Sequence, residues 1–164
     1  MNDYREYEYR EYRVRPIGFV KNPREKLPVQ PVFAEEDYTA RIELFPEYVK
    51  GLYRLEEFSH IIVVMYFHRS SDYSLIVKPH FDDRLRGVFA TRSPRRPNPI
   101  AISTVKLEKI EGNVLFVRNL DAYDGTPVLD IKPHSQLVDC PEVSKDEVSK
   151  HIARQVSKQK QEDT

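Results

Sequence analysis

Short apolar segments rich in β-branched side chains follow one another through the middle of the sequence, and they limit the possible fold more than any other feature. The most apolar of them, Ile61-Ile62-Val63-Val64-Met65-Tyr66-Phe67, has the length and β-branched content of a central strand covered on both faces. Because strands and helices do not alternate through this region, the pattern favours a mainly β fold, a small barrel or folded sheet, over a doubly wound α/β fold. The other predicted strands are residues 14–20, 38–44, 75–78, 88–90, 100–110, 114–117 and 128–131.

Helical patterns occur at two places only. Pro46 to Glu57 carries apolar residues at spacings of four and three, which predicts a short internal helix beginning at the proline. Ser144-Lys145-Asp146-Glu147 has the form of a capping box, and apolar residues follow it on one helical face. We therefore expect a C-terminal helix that continues to about Lys158 and then frays.

The length of 164 residues is typical of one domain with short appendages. We expect a polar, tyrosine-rich N-terminal tail over residues 1–13, a β-barrel domain over 14–138, and the C-terminal helix with its frayed end over 139–164. The tail is interpreted as a solvated segment, and the alternative is a tyrosine-rich arm that grips a partner.

Composition excludes several classes of protein. Twenty-six basic residues balance 26 acidic ones, so the chain is not a uniformly basic nucleic-acid-binding domain. Its single cysteine, Cys140, excludes an internal disulfide framework and a cysteine-rich zinc site, and no metal site is predicted. No stretch approaches the roughly 18–20 apolar residues of a membrane span, and the N-terminus does not resemble a signal peptide. We therefore expect a cytoplasmic protein without a membrane partner.

Glycine is too sparse for the common nucleotide-binding loops. The five glycines are never closer than thirteen residues apart, so the sequence contains no Gly-x-Gly-x-x-Gly motif and no Walker loop. A nucleotide or sulfonium cofactor would therefore have to bind without a glycine-rich loop.

An arginine-rich segment, Arg84 to Arg96, contains five arginines and no acidic residue, for a local charge of +5. Pro94, Pro97 and Pro99 stiffen it, which would hold guanidinium groups ready for phosphate or carboxylate. The alternative interpretation is a solvated loop whose arginines pair with nearby acids.

Two further segments carry polar groups. Residues 119–130 include three aspartates and no basic residue around the turn Asp124-Gly125. This is either a plain turn or a carboxylate and backbone site for ribose hydroxyls or a cationic ligand. His68 follows the most apolar strand directly, and it is either a histidine satisfied by local hydrogen bonds or part of a site at the mouth of that strand.

Several segments together resemble the TsaA-like, TrmO family of S-adenosylmethionine-dependent tRNA methyltransferases. The resemblance runs from about Arg15 to His134 and consists of long matches in the right order. The matching segments are Pro16-Ile17-Gly18, Leu55-Glu56-Glu57-Phe58-Ser59-His60, Phe67-His68, Gly87-Val88-Phe89-Ala90-Thr91-Arg92-Ser93, Arg96-Pro97-Asn98-Pro99-Ile100, and Asp124-Gly125-Thr126-Pro127-Val128-Leu129-Asp130-Ile131-Lys132-Pro133.

This resemblance implies a non-Rossmann β-barrel methyltransferase that forms a homodimer with cofactor sites near the subunit interface. The implied reaction methylates N6 of threonylcarbamoyl-adenosine at position 37, in the anticodon loop of tRNA. The implied contacts to S-adenosyl-L-methionine are Val29, Gln30, Pro31, His68, Arg69, Arg92, Asp124, Gly125 and Thr126.

Residue chemistry suggests roles within this frame. Arg92 suits the carboxylate of the cofactor, and the candidates for accepting the proton of the reacting nitrogen are His68, Asp124 and Asp130, among which the sequence does not choose. The remaining arginines are candidates for tRNA phosphates: Arg84, Arg86, Arg95 and Arg96. Alternatives are a methyltransferase of another RNA or of a small molecule, and a ligand- or RNA-binding module without catalysis.

Overall fold

A computed structural model of the chain describes residues 11–28, 31, 34, 36–79, 81–147 and 149–150. Six strands close into a barrel, and a separate two-stranded ribbon lies in the long loop between the third and sixth strands. This confirms the predicted mainly β barrel. The strands are β1 (Gly18–Lys21), β2 (Thr39–Leu44), β3 (His60–Tyr66), β4 (Ile76–Val77), β5 (Arg86–Gly87), β6 (Ile100–Glu111), β7 (Val114–Arg118) and β8 (Pro127–Pro133).

The barrel follows the order β1-β2-β7-β6-β3-β8, and each neighbouring pair is antiparallel. Alternate residues point inward, so each strand contributes to a core of aliphatic side chains. Burying one such side chain contributes roughly 1.5–3 kcal/mol. The fully buried core side chains include Val20, Ile42, Ile61, Val63, Met65, Val105, Leu115, Val117 and Val128.

Strand β3 differs from the sequence prediction in one respect. Ile61, Val63 and Met65 are fully buried inside the barrel, whereas Ile62 and Val64 are only half-buried on the outer face. The apolar run is therefore a central strand, paired with β6 and β8, but it is fully covered on its inner face alone.

Gly18 opens β1 at a point where two backbones approach closely. A Cβ atom placed on Gly18 would overlap the carbonyl oxygen of Glu43 and lie 2.8 Å from the Cα of Leu44. Only glycine fits this register between β1 and β2.

Strand register determines which loops lie together. Lys21 is paired with Arg41 near the start of β2, and Thr39 is paired with Arg118 at the end of β7. Tyr66, at the end of β3, is paired with Ile100, the first residue of β6. The connections 22–38, 67–99 and 119–126 therefore all lie at one end of the barrel, which we call the loop end.

The internal helix is not one α-helix. Pro46–Leu52 and Leu55–Glu57 are two 3₁₀ segments, separated by Arg54 in the left-handed region with φ of 66°. Both segments are short, and the first contains Gly51, so neither α-helix nucleation nor propensity favours a longer helix. Residues 88–90 likewise form a 3₁₀ turn and not a strand, because the Thr91 amide donates to the carbonyl oxygen of Val88 at 3.1 Å and turns the chain after β5.

The C-terminal helix begins later than predicted. Asp146 caps it, because its Oδ1 accepts a hydrogen bond from the Ser149 amide at 2.9 Å, so the cap is two residues beyond Ser144. Helical backbone is present at residues 147, 149 and 150, and the predicted continuation to Lys158 lies outside the described residues. A one-turn helix that the sequence did not indicate, α1 (Gln136–Asp139), precedes it.

None of the helices in the described part of the chain is long and apolar enough to cross a membrane.

Candidate functional site

The loop end brings together most of the residues that the sequence singled out. His68 and Arg69 follow β3, Arg92 lies further along the same connection, and Asp124-Gly125-Thr126 directly precedes β8. Pro31 belongs to the third connection, between β1 and β2, whereas Val29 and Gln30 lie outside the described residues. The structure therefore places three chain segments, distant in sequence, around one mouth of the barrel.

Asn22, which is buried, holds the connection 119–126 in place. Its side-chain Nδ2 donates to the carbonyl oxygens of Leu120 at 2.9 Å and Ala122 at 2.8 Å. Its backbone amide donates to Oδ1 of Asp124 at 3.0 Å. Leu120 and Ala122 are themselves buried in the core, so this connection closes the loop end of the barrel.

Tyr38 and Asn119 fix the other side of the same connection. The Tyr38 hydroxyl donates to the carbonyl oxygen of Leu120 at 2.6 Å, and the Tyr38 backbone amide donates to Oδ1 of Asn119 at 2.9 Å. Asn119 has a φ of 56°, a left-handed conformation that asparagine tolerates better than most residues. The connection is thus rigidly specified by side chains from outside it.

Backbone groups of the Asp124-Gly125-Thr126 turn are hydrogen-bonded to other parts of the chain. The Gly125 amide donates to the carbonyl oxygen of Val20 at 2.8 Å, and the Thr126 amide donates to that of Tyr123 at 3.1 Å. The Thr126 carbonyl in turn accepts from the Val20 amide at 2.9 Å. Gly125 has a φ of 78°, which favours glycine. These amides shape the turn, so a ligand here would meet side chains and the remaining carbonyl groups.

Arg69 connects two of the three segments. Its guanidinium lies over the ring of Tyr123, 4.6 Å from the ring centroid, a cation–π contact across the mouth. His68 is exposed beside it, and its amide donates to the carbonyl oxygen of Tyr66 at 2.9 Å. The side chain of His68 is therefore available at the rim of the site.

Asp121 lies at the same mouth, although in the sequence it is only one of the three aspartates of residues 119–130. Its Oδ1 accepts a hydrogen bond at 2.5 Å from the hydroxyl of Ser103, an inward-facing, buried residue of β6. Burial raises the pKa of Asp121 to about 6, although the Ser103 hydrogen bond and the charge of Arg92 oppose the shift. The available signal was its position between two apolar residues, Leu120 and Ala122.

Asp130 lies apart from the other candidate proton acceptors. It is paired with Val64 across β8 and β3, and opposite residues of such a pair share a face of the sheet. Val64 alternates with the inward-facing Val63 and Met65, so Asp130 lies on the outer face of the barrel. There its carboxylate pairs with Lys132 at 2.8 Å.

Two of the four arginines expected to meet RNA pair with a buried acid. Nε of Arg84 lies 3.1 Å from Oδ1 of Asp82, and Nε of Arg86 donates to Oδ2 at 2.6 Å. Hydrogen bonds from the Arg84 side chain and backbone hold the pKa of Asp82 well below its usual range. This cluster stabilises the turn between β4 and β5, as the alternative interpretation of the loop expected.

The other two arginines also make contacts within the connection. Arg95 pairs with Asp72 at 2.8 Å, and Nη1 of Arg96 donates to the carbonyl oxygens of Thr91 at 3.0 Å and Ser93 at 3.2 Å. The +5 charge of the segment is thus partly balanced by Asp82, two residues before it, and by Asp72, earlier in the same connection. Arg92 differs from these four because its charge acts on Asp121, at the mouth of the barrel.

Comparison with known proteins gives matches over most of the barrel. The family model described as tRNA-methyltransferase O N-terminal domain matches residues 20–140. A probable S-adenosyl-L-methionine-binding protein of Methanothermobacter thermautotrophicus is 43% identical over 132 residues, which is 79% of this chain and 94% of the relative. One of Pyrococcus abyssi is 47% identical over 123 residues, 73% of this chain and 66% of the relative.

Two longer proteins match over part of their length. The human tRNA (adenine(37)-N6)-methyltransferase is 35% identical over 136 residues, 77% of this chain and 31% of its own length. The crystal structure of TrmO from Pseudomonas aeruginosa superposes with a TM-score of 0.72 and 34% identity, over 87% of this chain and 64% of that one. Because the family match covers most of the sequence and includes the whole described barrel from Val20 onward, the chain belongs to the TrmO N-terminal domain family.

Proposed function

We propose that this chain binds S-adenosyl-L-methionine at the loop end of the barrel and methylates N6 of an adenine in tRNA. The observation that carries the proposal is the convergence of the segments around His68, Arg92 and Asp124 at one mouth of the barrel. Archaeal relatives that match nearly end to end are named for binding this cofactor, and a human relative is named for the tRNA reaction.

The residues at the mouth suit the chemistry of this cofactor. Arg92 offers a guanidinium for its carboxylate, and the Arg69–Tyr123 pair presents a cation and a ring face to its adenine. When bound, the cofactor supplies an electrophilic methyl group on a sulfonium. The proposed contact residues are those expected from the sequence: Val29, Gln30, Pro31, His68, Arg69, Arg92, Asp124, Gly125 and Thr126.

Barrel closure supports a positional mechanism. The connection 119–126 is pinned by Asn22 and Tyr38, so the groups it carries are held in place before a ligand arrives. Aligning two reactants and excluding water can supply much of the rate of a displacement reaction.

Within this proposal, the substrate is threonylcarbamoyl-adenosine at position 37, in the anticodon loop. Phosphates of the loop would be met by Arg84, Arg86, Arg95 and Arg96. The side chains of Arg84 and Arg95 are 71% and 55% exposed. Phosphate oxygens can therefore displace the aspartates that these two arginines contact, or bind to the same arginines beside them.

The chain is further proposed to act as a homodimer in the cytoplasm. Apolar side chains are exposed around the loop end and on the outer face of β6, and a second copy would cover them. Phe89 is 78% exposed and Ile102 is 54% exposed; the others are Leu75, Ile76 and Ile100. Sedimentation analysis tests this, and a monomer at micromolar concentration contradicts it. Cell fractionation tests the compartment.

Two measurements separate the proposed function from its alternatives. Calorimetry with S-adenosyl-L-methionine tests cofactor binding, and a folded protein that does not bind it contradicts both methyltransferase interpretations. Mass spectrometry of nucleosides from tRNA incubated with enzyme and cofactor tests the substrate. If cofactor binds and threonylcarbamoyl-adenosine gains no methyl group, the proposed substrate is wrong.

A further inference from the structure

Asp121 and Ser103 form a mostly buried polar pair at the loop end. Ser103 projects into the barrel from β6, opposite Val63 on β3, and donates its hydroxyl proton to Oδ1 of Asp121 at 2.5 Å. Burying a carboxylate away from water is costly, so a fold keeps one at such a place only when it has a use or a strong partner. The Ser103 hydroxyl and the charge of Arg92 both favour the ionised carboxylate, but together they do not offset the cost of burial.

The position of Asp121 is central to the candidate site. Tyr123, two residues after Asp121, has the guanidinium of Arg69 over its ring. The turn Asp124-Gly125-Thr126 begins three residues after Asp121. Arg92, on the same connection as Arg69, lies close enough for its charge to act on the Asp121 carboxylate. Asp121 therefore interacts with Ser103 of β6 and with the charge of Arg92, and it is close in sequence to Tyr123 and Asp124.

The other candidate acceptors are less suited to removing a proton. Asp124 is exposed and accepts at Oδ1 from the Asn22 amide, and Asp130 lies on the outer face with Lys132. His68 is exposed at the rim, where water surrounds the ring.

We propose that Asp121 is the catalytic residue that accepts the N6 proton of the target adenine, and that Ser103 is a positioning residue for its carboxylate. This inference rests on the proposed function. The N6–H bond breaks, and its proton passes to the Asp121 carboxylate. The nitrogen lone pair forms a bond to the methyl carbon while the carbon–sulfur bond breaks, and the sulfur keeps that electron pair as a neutral thioether.

Two side chains from neighbouring elements favour the ionised form of Asp121. One is Arg92, from the connection after β3, and the other is Ser103 on β6, through its hydrogen bond. Tyr38, just before β2, is neutral near pH 7, because burial raises its pKa and the charge of Asp121 raises it further. Burial acts against ionisation, which places the titration of Asp121 near pH 6, in the range useful for a general base.

The test compares the full chain with the variants Asp121→Asn and Ser103→Ala. The carboxamide introduced by Asp121→Asn can still accept from Ser103, so the variant should fold and should bind cofactor within about threefold of the wild-type affinity. Its single-turnover methyl transfer should fall by roughly 100-fold or more, the usual contribution of a general base. Asp139→Asn, the same change on an exposed residue of α1 at the opposite end, should leave both values unchanged.

Ser103→Ala supplies a readout that a purely structural role would not change. Loss of the hydrogen bond removes an interaction that favours the ionised form, so the acid limb of the pH–rate profile should shift to higher pH. Carbon-13 NMR of the Asp121 carboxyl in the cofactor-free protein should show the same upward shift in its titration.

The outcomes distinguish the inference from the function on which it rests. Wild-type protein that neither binds cofactor nor methylates tRNA overturns the proposed function, and the inference with it. Active wild-type protein together with an equally active Asp121→Asn variant overturns the inference alone. Loss of cofactor affinity in that variant, in proportion to the loss of rate, also overturns it, because Asp121 would then be a counter-charge to the cofactor.

Discussion

The backbone amide of Asn22 donates to Oδ1 of Asp124, 102 residues further along the chain, and the Asn22 side chain bonds two carbonyl groups of the same connection. One asparagine at the end of β1 therefore specifies the shape of the segment that carries Asp121, Asp124 and the turn before β8.

Replacing Asn22 by alanine should lower the free energy of unfolding by about 2–4 kcal/mol, since the Ala122 carbonyl would lose the donor from Asn22 and the Leu120 carbonyl would keep only the Tyr38 hydroxyl. Cofactor affinity should fall as well, because the connection loses its anchor. Denaturant unfolding and calorimetry measure the two effects.

Asn113→Ala is the matched control for that variant. Asn113 makes a similar amide bond, from Nδ2 to the Leu44 carbonyl at 2.8 Å, but it lies at the opposite end of the barrel. Asn113→Ala should lower the free energy of unfolding without changing cofactor affinity. Equal loss of affinity in both variants would show that general stability, and not the loop anchor, controls binding.

Asp121 should make the stability of the fold depend on pH. Its pKa is about 6 in the folded protein against an ordinary value of 3.8, so the folded state binds the proton more tightly. The ionised carboxylate therefore destabilises the fold at pH values above about 6, and this cost disappears as the pH falls toward 4. Asp121→Asn should be more stable than wild type at pH 7 by up to about 3 kcal/mol.

Urea unfolding of both proteins between pH 4 and 8 checks this prediction. The difference in stability should shrink to near zero at pH 4. A variant that is less stable than wild type at pH 7 would mean that the carboxylate is well stabilised where it lies.

The arginines of the long connection should separate into two functions. Arg92→Ala should weaken cofactor binding roughly 10-fold or more, because a charge-assisted hydrogen bond contributes about 1.5–3 kcal/mol. Arg95→Ala should leave cofactor binding intact and weaken tRNA binding, with the slope of log K against log salt reduced by about one. Calorimetry and filter binding at several salt concentrations measure these effects.

Arg96→Ala should behave differently from Arg95→Ala, because Arg96 holds the carbonyl groups of Thr91 and Ser93 next to Arg92. We expect it to reduce both cofactor and tRNA affinity. An effect of Arg96→Ala confined to tRNA would show that its hydrogen bonds do not position Arg92.

Gly18→Ala should destabilise the barrel by about 3 kcal/mol or more, since its Cβ would overlap the backbone of Glu43 and force β1 away from β2. Gly51→Ala is the control, because a Cβ at Gly51 meets nothing within 4 Å. Thermal unfolding should show a large decrease in Tm for the first variant and little change for the second. Similar melting temperatures would mean that the two strands separate without cost.

Much of the fold could be predicted from local pattern. The apolar run beginning at Ile61 is the central strand β3, and the predicted strands 100–110 and 114–117 correspond to the neighbours β6 and β7. Alternation of apolar and polar side chains along a strand involves only a few neighbouring residues, so it can be recognised in the sequence. The α-helix predicted from Pro46 and the strand predicted at Val88 were wrong, because short stretches of apolar residues fit several local conformations and both segments form 3₁₀ turns.

The sequence by itself determined the class of fold, the absence of a glycine-rich phosphate loop and the segments that form the candidate site. It did not determine which polar groups are buried or what they face. The sequence does not show that Arg84 is paired with Asp82, two residues before it, and it does not distinguish Asp121 from the two other aspartates of residues 119–130. Barrel closure brings Ser103 to Asp121 and shields the pair from much of the solvent. Since the pKa and use of a carboxylate depend on that enclosure, only the tertiary structure could distinguish Asp121 from its neighbours.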